Sequence, residues 1–393
     1  MPQLTTHAEA VAAAGRVAET WAPGAVARDR AGAAEVPAEA LAVLDASGLL
    51  AITVPEASGG PGLGPVTLAE VTRILAAADP ALAQVPQGHY LLVDVLSVLG
   101  PDDARERLHG EVLAGRRLGN ALAERGGQHA QDLTTRITGS RLSGRKYYCT
   151  GALTAAWIGV SALDEQGRLR LVFVPRDAPG VHVDTDWNVM GQRATISGTT
   201  TFDQVAVDPA LVVDYGRAYS VPQQLGARAQ LVHAAIEVGI AGGALRDTRD
   251  YLRGRARPST EAVRYGAEDV AGDPHVLHRY GRLAAQVRAA EALLAAAGAE
   301  LDEIGLVPGD AGAAARGSLA VASAKAFGSE VAVEAGSQLF ALTGTSATDE
   351  RWDLHRHWRN ARTHSVHDPI DWKYHHLGAY EIGDVLPPNH GQL

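Results

Sequence analysis

The sequence lacks most of what disulfide-stabilised and nucleic-acid-binding proteins require. Its 393 residues contain one cysteine, Cys149, so no disulfide can form within the chain. The 35 basic and 45 acidic residues give a net charge of −10, and there is no long run of Lys or Arg. Proteins that bind nucleic acid need dense positive charge against the phosphates, so we expect no nucleic-acid partner. A single unpaired cysteine is consistent with a cytoplasmic protein.

Long apolar segments are also missing. The longest uncharged stretch, 147–163, includes Gly, Ser and Thr and is shorter than the roughly 20 apolar residues of a membrane-spanning helix. Near the N-terminus, Glu9, Arg16 and Glu19 interrupt any apolar core that a signal peptide would need. We therefore expect neither a membrane span nor a secretion signal.

Several catalytic motifs are absent as well. Residues 59–64 read Gly-Gly-Pro-Gly-Leu-Gly, but their spacing and surroundings do not match a dinucleotide-binding fingerprint, which favours a plain loop. There is no Walker A sequence and no Gly-x-Ser-x-Gly elbow. No neighbouring feature would depress the pKa of Cys149, so we expect a buried, neutral thiol there.

The residues that are present divide the chain into a helical, a β-rich and a helical part, which predicts an α+β fold. The first part, 1–117, shows a proline-first and glycine-last helix at Pro37 and Gly48. The second, 118–216, alternates short β-rich runs with turn residues, which predicts a compact antiparallel β domain. The third, 217–393, predicts a four-helix bundle. Further helices are predicted over 65–79, 89–99 and 102–113, and the bundle helices over 221–253, 277–304, 311–342 and 350–367.

Histidine is concentrated near the C-terminus. On a helix, His364 and His367 are three residues apart and share a face. Three interpretations are open, namely a metal site, a solvated or structural cluster, and an active-site pair beside an organic cofactor. No cysteine or carboxylate completes an obvious ligand set, so we expect no metal. Seven of the 15 histidines lie in this region: His355, His357, His364, His367, His375, His376 and His390.

Two motifs resemble those of the acyl-CoA dehydrogenases. Within 54–63, Val-Pro-Glu followed by Gly-Gly and Gly-Leu resembles their N-terminal signature. Within 191–205, Gly-Gln-Arg, Ser-Gly-Thr and Phe-Asp-Gln-Val resemble the end of their β domain. The similarity extends over nearly the whole chain, and the helix–β–helix order agrees with that fold.

A closer resemblance is to one branch of that superfamily, the dibenzothiophene monooxygenases and sulfur-acquisition oxidoreductases. It rests on residues 148–153, on Arg-Ala-Arg-Pro at 255–258, and above all on 358–369, Trp-Arg-Asn-Ala-Arg-Thr-His-Ser-Val-His-Asp-Pro. Enzymes of this branch use reduced flavin and O2, and a separate reductase usually supplies the flavin. Membership of the superfamily also implies a homotetramer.

The resemblance implies which residues surround the flavin and the substrate. It places Arg257 on the flavin phosphate, often from a neighbouring subunit, and Tyr90 at the substrate. Ser259 departs from the branch, where an aromatic residue commonly follows Arg-Pro. The implied catalytic residues are His367, His364, His89 and, for dehydrogenation, Asp368, and the implied flavin contacts are Asn120, Thr150 and Trp157.

Asp368 separates the two chemistries. Dehydrogenation needs a carboxylate base, and the dehydrogenases have a glutamate followed by glycine where this chain has Asp368 and Pro369. A base misplaced by about 1 Å can lose about 10²-fold in rate. Histidine, with an ordinary pKa near 6.5, suits proton exchange with activated oxygen at neutral pH. We therefore predict a two-component monooxygenase that uses reduced FMN and O2 on a small apolar or organosulfur compound. The alternatives are an acyl-CoA dehydrogenase with FAD and Asp368 as base, and a flavin-binding protein without catalysis.

Overall fold

Seven helices form the N-terminal part in the computed structural model, which describes residues 2–127, 129, 132–307, 309–391 and 393. Thr6 caps the first helix in a reciprocal capping box with Glu9. Pro65 begins the fourth helix as predicted, and Asp79 ends it and caps the fifth. The helices are α1 (His7–Trp21), α2 (Ala25–Ala31), α3 (Ala38–Ala46), α4 (Pro65–Ala78), α5 (Pro80–Gln84), α6 (Gln87–Leu99) and α7 (Asp102–Leu113).

The middle part is one sheet, in the order β6-β7-β3-β2-β4-β5-β8, with β1 paired to β4. Most neighbours are antiparallel as predicted, but β1 and β2 each run parallel to β4. With four and two residues, β1 and β8 are too short to show an alternating pattern of their own. The strands are β1 (Leu118–Ala121), β2 (Arg136–Thr138), β3 (Arg141–Lys146), β4 (Trp157–Leu163), β5 (Leu169–Pro175), β6 (Val181–Val183), β7 (Thr200–Ala206) and β8 (Val212–Val213).

The C-terminal part has three long helices and three short ones. The single helix predicted over 350–367 is wrong, because Asp353 has a left-handed backbone (φ 49°) and the helix begins only after it. Pro369, which disfavours helical geometry in the residue before it, separates the last two helices. The helices are α8 (Leu225–Gly254), α9 (Thr260–Arg264), α10 (Pro274–Ile304), α11 (Ala311–Thr343), α12 (Arg356–His364) and α13 (Ile370–Gly383).

Helix α8 is the central element, because N-terminal and C-terminal helices share one apolar core around it. Two glycines let it approach α4 closely. A Cβ on Gly239 would lie 2.6 Å from the Cβ of Ala76, and one on Gly243 would lie 2.7 Å from the carbonyl oxygen of Ala77. These two glycines therefore permit close packing of α8 on α4. Among the described helices, none is long and apolar enough to cross a membrane.

Candidate active site

A row of polar side chains interrupts the apolar surface of α8. Gln230, His233 and Glu237 follow helical spacing on one face, and each is at most 3% exposed. Helix α11 adds Lys325 and Ser329, one turn apart and equally buried. Buried polar groups without partners cost free energy, so this row requires partners from elsewhere in the chain.

His364, the last residue of α12, is one such partner. Its Nδ1 lies 2.9 Å from Oε1 of Glu237, and its Nε2 lies 3.1 Å from Nδ1 of His233. The Ser329 hydroxyl donates to the other oxygen of Glu237. Burial, followed by the nearby His367 and Lys325, holds the pKa of His233 well below its usual value. His364 therefore joins α8, α11 and α12 in one buried polar network.

His367 lies in the turn that follows α12. Its backbone N–H donates to the carbonyl of His364, and its ring stacks on His233 with centroids 4.1 Å apart. The side chain is 44% exposed, whereas that of His364 is fully buried. Packing against buried groups lowers the pKa of His367, although the hydrogen bond to Asp368 opposes the shift. Of the three clustered rings, His367 is the one open to the outside.

Asp368 is held between two buried lysines. It accepts hydrogen bonds from the ammonium groups of Lys325 and Lys373 and from Nδ1 of His367, the last at 3.1 Å. Burial raises the pKa of Asp368, but the bond from His367 and the two lysine charges outweigh it, so the pKa lies far below the usual range. Lys325 also donates to Oε1 of Gln230, at 2.6 Å. A carboxylate so paired is a counter-ion, and it is poorly suited to remove a proton from a substrate.

A chain of hydroxyl groups forms the second half of the site. The Thr150 hydroxyl lies 2.6 Å from that of Ser197, which donates to Thr195, which in turn donates to the carbonyl of Gln192. Gln192 and Ile196 have left-handed backbones with φ of 54° and 46°. Residues forced into this region are strained, and such strain clusters at sites that bind ligands.

Helix α12 connects the hydroxyl chain to the histidines. The Gln192 N–H donates to Oδ1 of Asn360 at 2.5 Å, and Asn360 precedes His364 by one turn. A Cβ on Gly191 would lie 2.0 Å from the carbonyl oxygen of Arg359, so only glycine permits this contact. Both amide atoms of Gln192 are buried without a hydrogen-bond partner among the described residues.

Asn120 and Arg257 both have side chains available to a ligand. Asn120 lies in β1 beside Thr150, whose carbonyl accepts its backbone N–H at 3.4 Å. A Cβ on Gly88 would lie 2.5 Å from Nδ2 of Asn120, so glycine leaves room for that amide. Arg257 is exposed in the segment between α8 and α9. Within the described ranges, neither the Asn120 amide nor the Arg257 guanidinium has a hydrogen bond or ion pair.

His89 and Tyr90 do not join the histidine cluster through any contact in the described part of the chain. His89 Nε2 lies 2.8 Å from the carbonyl of Leu50, and its Nδ1 accepts from the N–H of Leu118 at 3.1 Å. Burial lowers the pKa of His89 to about 4. The Tyr90 hydroxyl donates to Leu49. With both ring nitrogens occupied, His89 holds the N-terminal helices against β1, and its catalytic role stays a prediction.

Trp157 and Cys149 are also buried in supporting positions. The Trp157 ring packs against α6 and α7, with the guanidinium of Arg107 4.8 Å from its centroid. Its contact with the flavin stays a prediction. Cys149 lies in the core of the β domain, and burial raises its pKa to about 12. The expected burial of this thiol is confirmed.

The site includes residues that the sequence analysis did not identify. Four of them are charged or hydrogen-bond His364 or Asp368, namely His233, Glu237, Lys325 and Lys373. One signal was present in the sequence: polar residues at spacings of three and four inside alanine-rich apolar helices need buried partners. Within the described ranges, no three His, Cys, Asp or Glu side chains are arranged to hold a metal ion.

Family models match three consecutive segments of the chain. They are the N-terminal domain of acyl-CoA dehydrogenases at residues 6–116, the middle domain at 121–205 and the C-terminal domain at 231–372. The matched segments follow the helical, β and helical order of the structure.

Curated relatives and solved structures match over nearly the full length. The chain is 32% identical to a dibenzothiophene monooxygenase from Rhodococcus erythropolis, over 98% of this chain and 96% of that protein. It is 33% identical to a probable FMNH2-dependent monooxygenase, SfnC, from Pseudomonas putida, with 98% of each covered. FMN-bound TdsC from Paenibacillus sp. A11-2 has a TM-score of 0.91 and 28% identity, over 98% of this chain and 100% of that one. The likeness therefore covers all three parts of the chain.

Proposed function

The chain belongs to the acyl-CoA dehydrogenase superfamily and, within it, to the flavin-dependent monooxygenase branch, and from this we propose that it is a two-component monooxygenase. The enzyme uses reduced FMN and O2 to add one oxygen atom to a small apolar or organosulfur substrate, and the other oxygen atom leaves as water. A separate reductase supplies the reduced FMN.

The residues present fit a flavin. The ring edge of a flavin carries hydrogen-bond donors and acceptors, and the buried amide of Gln192 has both kinds of atom without a partner among the described residues. The backbone of Asn120 hydrogen-bonds that of Thr150, and we assign the Thr150 hydroxyl and the Asn120 amide, together with the Gln192 amide, to the ring edge. The exposed guanidinium of Arg257 suits the FMN phosphate of a neighbouring subunit, because guanidinium and phosphate pair with two parallel hydrogen bonds.

When bound, reduced FMN supplies the two electrons that O2 activation requires. His367 is the proton-exchanging group closest to the outside, since its Nδ1 is held by Asp368 and its Nε2 is left for substrate or oxygen. Asp368 orients the ring and favours its protonated form, while the stack on His233 fixes the ring plane. The buried His364 lies within hydrogen-bond distance of Glu237 and His233, and it thereby holds the His233 ring on which His367 stacks.

One observation carries the choice of monooxygenation over dehydrogenation: Asp368 is 2% exposed and bound by two lysines. The dehydrogenase alternative needs a carboxylate that is free to take a proton. In this site the open titratable side chain is a histidine, which suits oxygen chemistry near neutral pH.

The direct test mixes the purified chain, loaded with reduced FMN, with O2 and a panel of organosulfur compounds that includes dibenzothiophene. We expect oxygenated product and O2 consumption that depends on substrate. A parallel sample with oxidised flavin and acyl-CoA thioesters tests the alternative. Flavin bleaching by a thioester, without any reductase, would replace the proposal with the dehydrogenase.

The chain also has a surface suited to self-association. Helix α10 exposes a stripe of small residues at spacings of four and three, where a second copy can approach closely. Together with the role assigned to Arg257, this supports a homotetramer, which light scattering would measure directly. We place the enzyme in the cytoplasm, where an unpaired cysteine stays reduced. The stripe consists of Ala285, Ala289, Ala292, Ala296 and Ala299.

A further inference from the structure

The carboxylate of Glu237 has both oxygens engaged in a site with no exposed surface. Its Oε1 is 2.9 Å from Nδ1 of His364, and its Oε2 accepts from the hydroxyl of Ser329. Both side chains of the Glu237–His364 pair have 0% exposure. Nothing in the oxygenation assigned to His367 requires a second buried carboxylate–histidine pair one turn away.

The hydrogen bonds determine where the protons lie. An ionised carboxylate only accepts, so Nδ1 of His364 carries a proton. In neutral His364, Nε2 is then an acceptor, and the hydrogen on Nδ1 of His233 donates to it across 3.1 Å. His233 is left with an unprotonated Nε2, which has no hydrogen-bond partner among the described residues. The basic atom of the pair therefore lies on His233, the ring that stacks on His367.

We propose that Glu237, His364 and His233 form a proton relay for the oxygenation, in which His233 and His364 exchange the proton and Glu237 is a positioning residue. This inference rests on the proposed monooxygenase function and deepens it. Its chemical basis is the order carboxylate, imidazole, imidazole, which lets a proton received at one end be stabilised by a negative charge at the other.

The proton transfer balances without any further reactant. A proton from the flavin pocket forms a bond to Nε2 of His233, and the N–H bond at Nδ1 of His233 breaks as its proton passes to Nε2 of His364. His364 becomes an imidazolium whose Nδ1–H still bonds Glu237. The return of the proton reverses both steps. When bound, reduced FMN would supply this proton, and the water that the oxygenation releases would take it up.

The positive charges around His233 disfavour its lasting protonation, so the ring holds an added proton only transiently. Positive groups face it from α11 and α13, as Lys325 and Lys373, and His364 and His367 flank it from the C-terminal segment. The negative groups are Glu237 on its own helix and Asp368, which the two lysines already neutralise. Glu237 is therefore the charge on which a protonated relay depends.

The test replaces Glu237 by glutamine, which keeps the shape and removes the charge. The holoenzyme is assayed for oxygenated product and released peroxide across pH, with FMN affinity measured by fluorescence. An opposite charge at this distance raises a histidine pKa by about 1–3 units. Loss of the Glu237 charge should therefore move the limb of the pH–kcat profile that the relay histidines set by at least about one unit to lower pH. FMN affinity should change less than about twofold, since Glu237 is not among the residues assigned to FMN.

A matched control uses Glu334→Gln, which removes a carboxylate from the exposed surface of α11. A second variant, His233→Asn, interrupts the relay at its other end and should remove the same limb. In the flavin-free protein, ¹⁵N NMR of the imidazoles should identify His364 as the Nδ1–H tautomer, by comparison with His364→Gln.

The outcomes separate this inference from the proposed function. If wild type oxygenates and Glu237→Gln keeps the wild-type profile, the relay is wrong and the monooxygenase stands. If Glu237→Gln does not fold, the His233→Asn profile and the wild-type NMR spectrum decide instead. An Nε2–H tautomer at His364 overturns the relay regardless of activity. If wild type oxygenates nothing, the proposed function fails, and the NMR spectrum still decides whether the hydrogen bonds run as inferred.

Discussion

The rings of His233 and His367 lie against each other, with centroids 4.1 Å apart and planes inclined by 34°. One ring belongs to α8 and the other to the turn after α12, so the contact exists only when the C-terminal segment is packed on the bundle. His233 is buried and His367 is partly open. The stack therefore joins the buried polar network to the side chain that is most available to a substrate.

Replacing His367 by alanine should affect chemistry more than binding. We expect oxygenated product to fall about 10²-fold or more, as for loss of a positioned acid or base. The release of hydrogen peroxide should rise at the same time, because activated oxygen then leaves the site without reaching the substrate. FMN affinity should stay close to wild type, since the flavin contacts assigned to Thr150, Gln192 and Arg257 are intact. Product, peroxide and bound flavin are measured in one experiment.

The dehydrogenase alternative predicts the opposite order of damage. There Asp368→Asn would abolish proton abstraction, and His367→Ala would be mild. A folded, flavin-bound Asp368→Asn that reduces kcat more than His367→Ala does would contradict the monooxygenase assignment.

The C-terminal half of the candidate site could be predicted from the sequence because its residues are close in the chain. His364, His367 and Asp368 lie within five positions, and one short motif contains them all. Their partners His233 and Lys325 come from two distant helices, and only tertiary packing brings them together. Contacts between residues so far apart in the chain cannot be recognised in a single sequence. The one signal is the presence of polar residues in otherwise apolar helices.

The assignment of His89 had a different difficulty. The resemblance implies a catalytic His89, whereas its partners in the structure are the backbone groups of Leu50 and Leu118. Backbone partners carry no residue signature, so a sequence does not distinguish a structural histidine from a catalytic one. The predicted helix over 350–367 was wrong for a related reason, since the left-handed backbone of Asp353 depends on tertiary contacts.

Asp368→Asn should destabilise the fold. It leaves Lys325 and Lys373 buried without their counter-ion, and loss of one partner from a buried ion pair costs about 3–5 kcal/mol. Urea unfolding at neutral pH measures this loss. The control Asp349→Asn removes a carboxylate from an exposed pair with Arg351, and should change the free energy of unfolding by less than about 0.5 kcal/mol.

The destabilisation by Asp368→Asn should also depend on pH. The pKa of Asp368 is lowered in the folded protein, so its contribution to stability is complete above the unfolded pKa of about 3.9. That contribution is lost as pH falls below this value, because the carboxylate of the unfolded chain binds a proton that the folded protein does not. The difference between wild type and variant should therefore be constant near neutrality and shrink below about pH 4. An undiminished difference in acid would mean that Asp368 acts through shape rather than charge.

Arg257→Ala should weaken FMN binding without affecting the fold. The side chain has no partner among the described residues of its own chain, so its removal leaves no buried group unpaired. A charge-assisted contact with phosphate is worth roughly 1.5–3 kcal/mol, which corresponds to about a ten- to hundredfold loss of affinity. Arg253→Ala, an exposed arginine in the last turn of α8, is the matched control for charge. Equal FMN titrations for the two variants would show that another cation binds the phosphate.

Substitution of His89 separates a structural role from a catalytic one. His89→Ala leaves the Leu50 carbonyl and the Leu118 N–H without partners, and each loss costs about 1–3 kcal/mol of unfolding free energy. His89→Gln retains a donor for Leu50 and should be less damaging. If His89 contacts the substrate instead, His89→Gln would abolish oxygenation while stability stays unchanged.

The pH dependence of stability gives the decisive comparison for His89. Burial holds its pKa near 4 in the folded protein, against 6.5 ordinarily, so between these values the unfolded chain binds a proton that the folded chain does not. Stability should therefore be complete above about pH 6.5 and decline towards pH 4, by about 3 kcal/mol from this residue. His233 and His357, also buried with lowered pKa values, add to the wild-type decline, so the informative quantity is the difference from His89→Gln. That variant should be less sensitive to acid than wild type by about this amount, because glutamine takes up no proton. Parallel curves for the two proteins would mean that His89 is charged or exposed in solution, and its assignment as a structural histidine would then be wrong.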